Sequence, residues 1–125
     1  MKILVIDDDE QIREILRMWL ERAGFEVFEA ADGKQGVEAQ RKTPVDLLIC
    51  DLIMPEQEGI ETITQFKKFF PNVCIIAISG GGQIDAESYL PMARSLGAWK
   101  VYKKPLSIAV MIEDIKAWQK LNSLQ

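Results

Sequence analysis

The feature that most constrains this chain is a fivefold alternation of short apolar runs with segments of helical period. Residues 3–6 (Ile-Leu-Val-Ile) form a continuous aliphatic run, and residues 47–50 (Leu-Leu-Ile-Cys) and 74–78 (Cys-Ile-Ile-Ala-Ile) repeat it. Unbroken runs of this kind are the pattern of strands covered on both faces, as in a parallel sheet. Residues 25–30 instead alternate apolar and polar side chains, which predicts a strand nearer an edge. Residues 100–102, flanked by lysine, predict a short fifth strand at the other edge.

Helical spacing fills the gaps. Ile12, Ile15, Leu16, Trp19, Leu20 and Ala23 recur at three- and four-residue intervals and predict one apolar stripe, closed by Gly24. A second helix is expected over residues 34–41, entered through Asp32 and Gly33. A third, over 59–69, carries Ile60, Ile63 and Phe66 on one face and stops at Pro71. The fourth, over 86–96, ends at Gly97; Pro91 inside it predicts a start near Leu90 or a bend there. The fifth spans 107–121, with Ser107 as a cap and Val110, Met111, Ile115, Trp118 and Leu121 available for burial. This order implies parallel strands, right-handed crossovers and helices on both faces: an α/β three-layer sandwich. With 125 residues, 48% of them hydrophobic, the chain holds enough material for one core, so a single domain over 1–125 is expected.

Charge narrows the function. The 15 Lys and Arg against 19 Asp and Glu leave a net charge of −4, which opposes non-specific attraction to nucleic acid or an anionic membrane. The N-terminal apolar run is too short for a signal peptide, and no stretch reaches the roughly 20 apolar residues of a membrane span. A cytoplasmic protein without nucleic-acid or membrane binding is expected. Cys50 and Cys74 lie in apolar runs, where a free thiol behaves as a small hydrophobe.

In an open α/β sheet, ligands bind beyond the carboxyl ends of the strands. Asp7, Asp8, Asp9 and Glu10 follow the first strand. Asp9 and Glu10 suit the positive end of the helix that follows, whereas Asp7 and Asp8 sit at the strand end itself. Asp51 follows the third strand, where it either joins those carboxylates or caps the turn before Met54-Pro55. Two carboxylates about 4 Å apart repel by about 4 kcal/mol at an effective dielectric of about 20. A hard cation such as Mg²⁺ offsets that repulsion. Ser79 and a glycine run (80–82) follow the fourth strand, a simple turn or a place for hydroxyl and N–H groups to meet an anion. Lys104-Pro105 follows the fifth, where an X-Pro bond can be cis and aim the preceding side chain; Lys103 is expected to face solvent.

An acidic pair after strand one, Asp-x-x-Met-Pro after strand three, Ser after strand four and Lys-Pro after strand five resembles the receiver domain of two-component response regulators, the single-domain chemotaxis regulator among them. The resemblance covers essentially the whole chain. It implies a flavodoxin-like (βα)5 fold with strand order 2-1-3-4-5. It also implies that Asp51 is the phosphoacceptor in a phosphorelay, with Asp8 a direct Mg²⁺ ligand, Asp7 a ligand partly through water, and the Ile53 carbonyl a further one. Mn²⁺ could substitute. Ser79 and Lys104 would contact the phosphoryl oxygens. The implied donor is a sensor histidine kinase or a histidine phosphotransfer protein, and the implied output is a protein partner on the face of the fourth helix, fifth strand and fifth helix. Whether the protein is a monomer or dimerises on phosphorylation is open. It would be an acceptor with self-catalysed phosphorylation and dephosphorylation, not an ordinary enzyme.

Two features depart from the family pattern, one on strand five and one at Ile53. Val101 occupies the usual aromatic position on strand five and Tyr102 comes one residue late, so its ring is expected on the opposite face of the sheet. Signalling is then expected to rely on the loop after Ser79 and on the fourth helix. Ile53 is apolar where many relatives are polar, and either limits attacking water or packs under its loop. Asp7-x-Asp9 also mimics the nucleophile motif of haloacid-dehalogenase-type phosphatases, but Gln11 stands where that family has Thr or Val.

Overall fold

Lys2–Ile6 (β1), Glu26–Ala30 (β2), Leu47–Asp51 (β3), Cys74–Ser79 (β4) and Lys100–Lys103 (β5) form one parallel sheet in the order β2-β1-β3-β4-β5. The computed structural model describes residues 1–52, 54, 58–80, 91, 92 and 94–123. Its helices are α1 (Glu10–Arg22), α2 (Gly33–Lys42), α3 (Glu58–Phe69) and α4 (Ile108–Ser123), the last being the fifth helix of the sequence reading. Residues 91, 92, 94 and 95 are helical and belong to the expected fourth. Whether that helix starts late or bends at Pro91 falls on residues 81–90, outside the described residues, as do Ile53 and the glycines after Gly80.

Strand pleating sends successive side chains to opposite faces, and two cores result. Leu4, Ile6, Leu48, Cys50, Ile75 and Ala77 pack on one face with Ile63 and Phe66 of α3. Ile3, Val5, Leu47, Ile49, Ile76 and Ile78 pack on the other with Leu16 and Leu20 of α1 and Met111, Ile112 and Ile115 of α4. The same alternation separates Val101, which packs with the first core, from Tyr102, which packs with the second and donates its hydroxyl to Asp114 of α4. Both cysteines are buried and free.

Caps follow the expected chemistry. The Asp9 and Asp32 carboxylates accept from the N–H groups of Gln11 and Gln35 and open α1 and α2. Gly24 takes φ +97° just after Ala23, a conformation that an L side chain rarely adopts, and so ends α1. Gly97 takes φ +107° at the end of the fourth helical segment. At α4, Ser107 accepts from Met111 N–H through its backbone carbonyl.

Two helix faces are narrower than their spacing implied. On α1, Leu16 and Leu20 are buried, while Ile15 and Trp19 are 46% and 42% exposed. On α4, Val110 and Leu121 are exposed and Ile112, outside the expected set, is buried. Only the arc facing the sheet is covered, and a residue one step around the helix, about 100° away, leaves it.

Candidate functional site

Each candidate side chain stands at or just beyond the carboxyl end of a strand, and backbone bonds beyond the strands hold those ends in line. Asp7 N–H donates to Ala30 O at 3.2 Å, Leu52 N–H to Ile78 O at 2.9 Å, and Lys104 N–H to Ser79 O at 2.8 Å. Asp7 follows β1, Asp51 closes β3, Ser79 closes β4 and Lys104 follows β5. Because β1 pairs with β3, and β3 with β4, residues distant in sequence become lateral neighbours.

One carboxylate oxygen from each of Asp7, Asp8 and Asp51 lies within 4.8 Å of the others. Asp7 and Asp51 are buried, at 1% and 3% exposure, and Asp8 is exposed. Lys104 Nζ stands 3.2 Å from Asp51 Oδ2 and 3.9 Å from Asp7 Oδ2, and the Lys104–Pro105 bond is cis. Lys103 is exposed, as expected. Asp9 points its carboxylate at the start of α1 instead of the cluster, which removes it from an Asp7-x-Asp9 nucleophile pair.

The electrostatics are unbalanced. Burial pushes the Asp7 carboxyl up to about 6 from its ordinary 3.8; the Asp9 N–H, at 2.9 Å from Asp7 Oδ1, works against this, and the charge of Asp51 adds to it. Asp7 Oδ2 and Ser79 Oγ are buried without a hydrogen-bond partner among the described residues. Such groups cost about 1–3 kcal/mol each unless something fills the gap. A set of carboxylate oxygens with one left unsatisfied fits a hard divalent cation, and a buried hydroxyl beside it fits an anionic oxygen.

Two residues that periodicity and motif reading did not single out touch this site. Arg13 Nη1 donates to the Asp7 carbonyl at 2.6 Å. Gly59, near the start of α3, lies so close to β3 that a Cβ there would stand 2.1 Å from Asp51 O. A glycine in the first turn of a helix was the only sequence signal for the second, and an arginine in a helix carries none for the first.

A parallel 2-1-3-4-5 sheet with an acidic cluster and a lysine at its carboxyl rim defines an open α/β domain whose site lies beyond the strand ends. Residues 3–116 match the family model of the response regulator receiver domain, and the chain belongs to that family. It is 30% identical over 122 residues to sporulation initiation phosphotransferase F of Bacillus subtilis, covering 98% of this chain and 96% of that protein. It is 36% identical over 117 residues to the transcriptional regulatory protein SrrA of Staphylococcus aureus, covering 93% of this chain but only 46% of SrrA. The receiver domain of the Francisella response regulator 1452 superposes with a TM-score of 0.85 at 26% identity, covering 97% of this chain and 98% of that one. The protein is thus a receiver domain of the two-component type, with the expected flavodoxin-like strand order. Among the described residues, no helix is long and apolar enough to cross a membrane.

Proposed function

We propose that this receiver domain, a single domain over 1–125, accepts a phosphoryl group on Asp51 from a phosphohistidine of a sensor kinase or phosphotransfer protein. Asp7, Asp8, Asp51 and the carbonyl of Ile53 would hold Mg²⁺, with Mn²⁺ as a substitute of similar ligand preference. The observation that carries this reading is Lys104 Nζ at 3.2 Å from the Asp51 carboxylate, inside a cluster where Asp7 Oδ2 and Ser79 Oγ have no hydrogen-bond partner among the described residues.

An Asp51 oxygen attacks phosphorus in line. The P–O bond forms as the P–N bond to the donor imidazole breaks, and the electron pair leaves with the nitrogen. Mg²⁺ held by these residues would supply charge neutralisation for the transfer. Lys104 pairs with one phosphoryl oxygen, and the Ser79 hydroxyl donates to another. Attack of water on phosphorus releases inorganic phosphate and restores Asp51. The chain is an acceptor that resets itself, not an enzyme acting on external substrate. Its output passes to a protein partner through the face of the fourth helical segment, β5 and α4, in the cytoplasm, by a monomer or a phosphorylation-dependent dimer. Tyr102, tied to Asp114 on the far side of β5 from Val101, supports a route that does not rotate an aromatic ring.

Incubation with Mg²⁺ and a small phosphodonor, read by intact mass, tests the acceptor. Wild type is expected to gain one phosphoryl group and Asp51→Asn none; equal gain by both would remove Asp51 from the role. A protein donor must also cover the surface around Asp51. An apolar groove lined by Ile12, Ile15, Leu16, Pro105, Leu106 and Ile108 opens beside Lys104. Ile15→Asp is therefore expected to slow transfer from a protein donor by about tenfold, a loss of about 1.4 kcal/mol, and to leave small-donor phosphorylation unchanged. Equal slowing with both donors would contradict it.

A further inference from the structure

The three-residue connection between β1 and α1 carries three consecutive carboxylates, Asp7, Asp8 and Asp9, beside the buried Asp51. Their mutual repulsion tends to splay it. Asp9 is held by its cap on α1, and the Asp7 side chain by the Asp9 N–H. The Asp8 carboxylate accepts no hydrogen bond among the described residues, so its place in the cluster depends on the main chain. The peptide plane that sets its direction begins at the Asp7 carbonyl. That carbonyl accepts from Arg13 Nη1 at 2.6 Å.

Arg13 is itself fixed. Its Nε donates to Glu29 Oε1 at 3.3 Å, and its side chain is only 15% exposed. Glu29 also pairs with Arg17, whose Nη2 donates to Val27 O at 2.7 Å. The guanidinium therefore bridges the β1–α1 connection to edge strand β2 through two divergent donors, a geometry that a lysine ammonium does not reproduce.

We propose that Arg13, braced by Glu29, is a positioning residue for the cation site: it fixes the Asp7–Asp8 peptide so that the Asp8 carboxylate is aimed at the metal. The inference rests on the Mg²⁺ reading above. It is distinguishable from a charge effect by sign. Removing a positive charge near carboxylates should tighten cation binding, whereas losing the brace should weaken it.

The test is calorimetric titration of the unphosphorylated full chain with Mg²⁺ alone, for wild type, Arg13→Met, Arg13→Lys and Glu29→Gln, beside thermal melts. Arg13→Met is expected to weaken Mg²⁺ by about tenfold, as loss of an outer-shell partner commonly does. Arg13→Lys and Glu29→Gln should fall between it and wild type, and excess Mg²⁺ should recover most of the phosphorylation rate of Arg13→Met. Unchanged or tighter binding by folded Arg13→Met overturns the proposal. If that variant does not fold, Arg13→Lys decides: weaker binding than wild type supports the brace, and equal binding overturns it. A wild type that takes no Mg²⁺ would overturn the cation reading and this inference together, whereas binding that Arg13 does not influence overturns this inference alone.

Discussion

Asp7→Asn is expected to stabilise the cation-free protein by about 2–3 kcal/mol above about pH 7, raising its melting temperature by about 10 °C. Burial, reinforced by the charge of Asp51, raises the Asp7 carboxyl from 3.8 to about 6 in the fold, so the native state holds that proton more tightly than the unfolded chain does. Stability associated with Asp7 is fully present below its unfolded pKa, falls as pH rises through about 4 to 6, and stays lost above. Asparagine keeps an oxygen for the Asp9 N–H and carries no charge to bury. The variant should therefore lack this pH dependence, so that its advantage over wild type grows from about pH 4 to about pH 6 and then levels. Mg²⁺ is expected to cancel that advantage. Wild type gains about 2.7 kcal/mol at a free concentration of about 100 Kd, while the variant gains little. Paired melts across this pH range, with a chelator and with Mg²⁺, decide it; a variant no more stable than wild type in chelator would show that Asp7 is not strained by its surroundings.

Gly59→Ala is expected to lower stability by about 2 kcal/mol and the melting temperature by about 5–10 °C. Local propensity argues the other way, because alanine in a helix is favoured over glycine by up to about 1 kcal/mol. The tertiary contact decides the sign. A Cβ at Gly59 would stand 2.1 Å from Asp51 O and 2.7 Å from Leu52 Cα, both backbone, and neither can turn away as a side chain can. Either α3 lifts off β3 or the end of β3 shifts, and a shift there moves the Asp51 carboxylate. Slower phosphorylation should accompany the stability loss. Thermal melts and small-donor kinetics on the same protein check both, and a stabilised Gly59→Ala would show that the contact relaxes at no cost.

Much of this was legible in the chain itself. Aliphatic runs at 3–6, 47–50 and 74–78 became the three central strands, because a strand covered on both faces has no polar side to display. The alternating run at 25–30 and the lysine-flanked run at 100–102 became the two edges. Asp7, Asp8, Asp51, Ser79 and Lys104 stood out because each ends a strand or comes within two residues after one, and parallel pairing brings all strand ends to one rim. The same pleat placed Tyr102 and Val101 on opposite faces.

Helix surfaces were less legible. Ile15, Trp19, Val110 and Leu121 fit an apolar period yet remain exposed, since period alone does not state how wide an arc the neighbours cover. The sequence by itself determined which elements form, their order and which carboxylates share a rim, because strand period, caps and crossover handedness are local or nearly local rules. Only the tertiary structure decided that Asp7 Oδ2 and Ser79 Oγ are buried without a hydrogen-bond partner among the described residues, that Arg13 reaches the Asp7 carbonyl and that Gly59 lies against the backbone of Asp51. Those facts depend on how α1 and α3 pack on the sheet: Arg13 is close in sequence to Asp7, and Gly59 to Asp51, yet spacing along the chain does not say whether such groups meet.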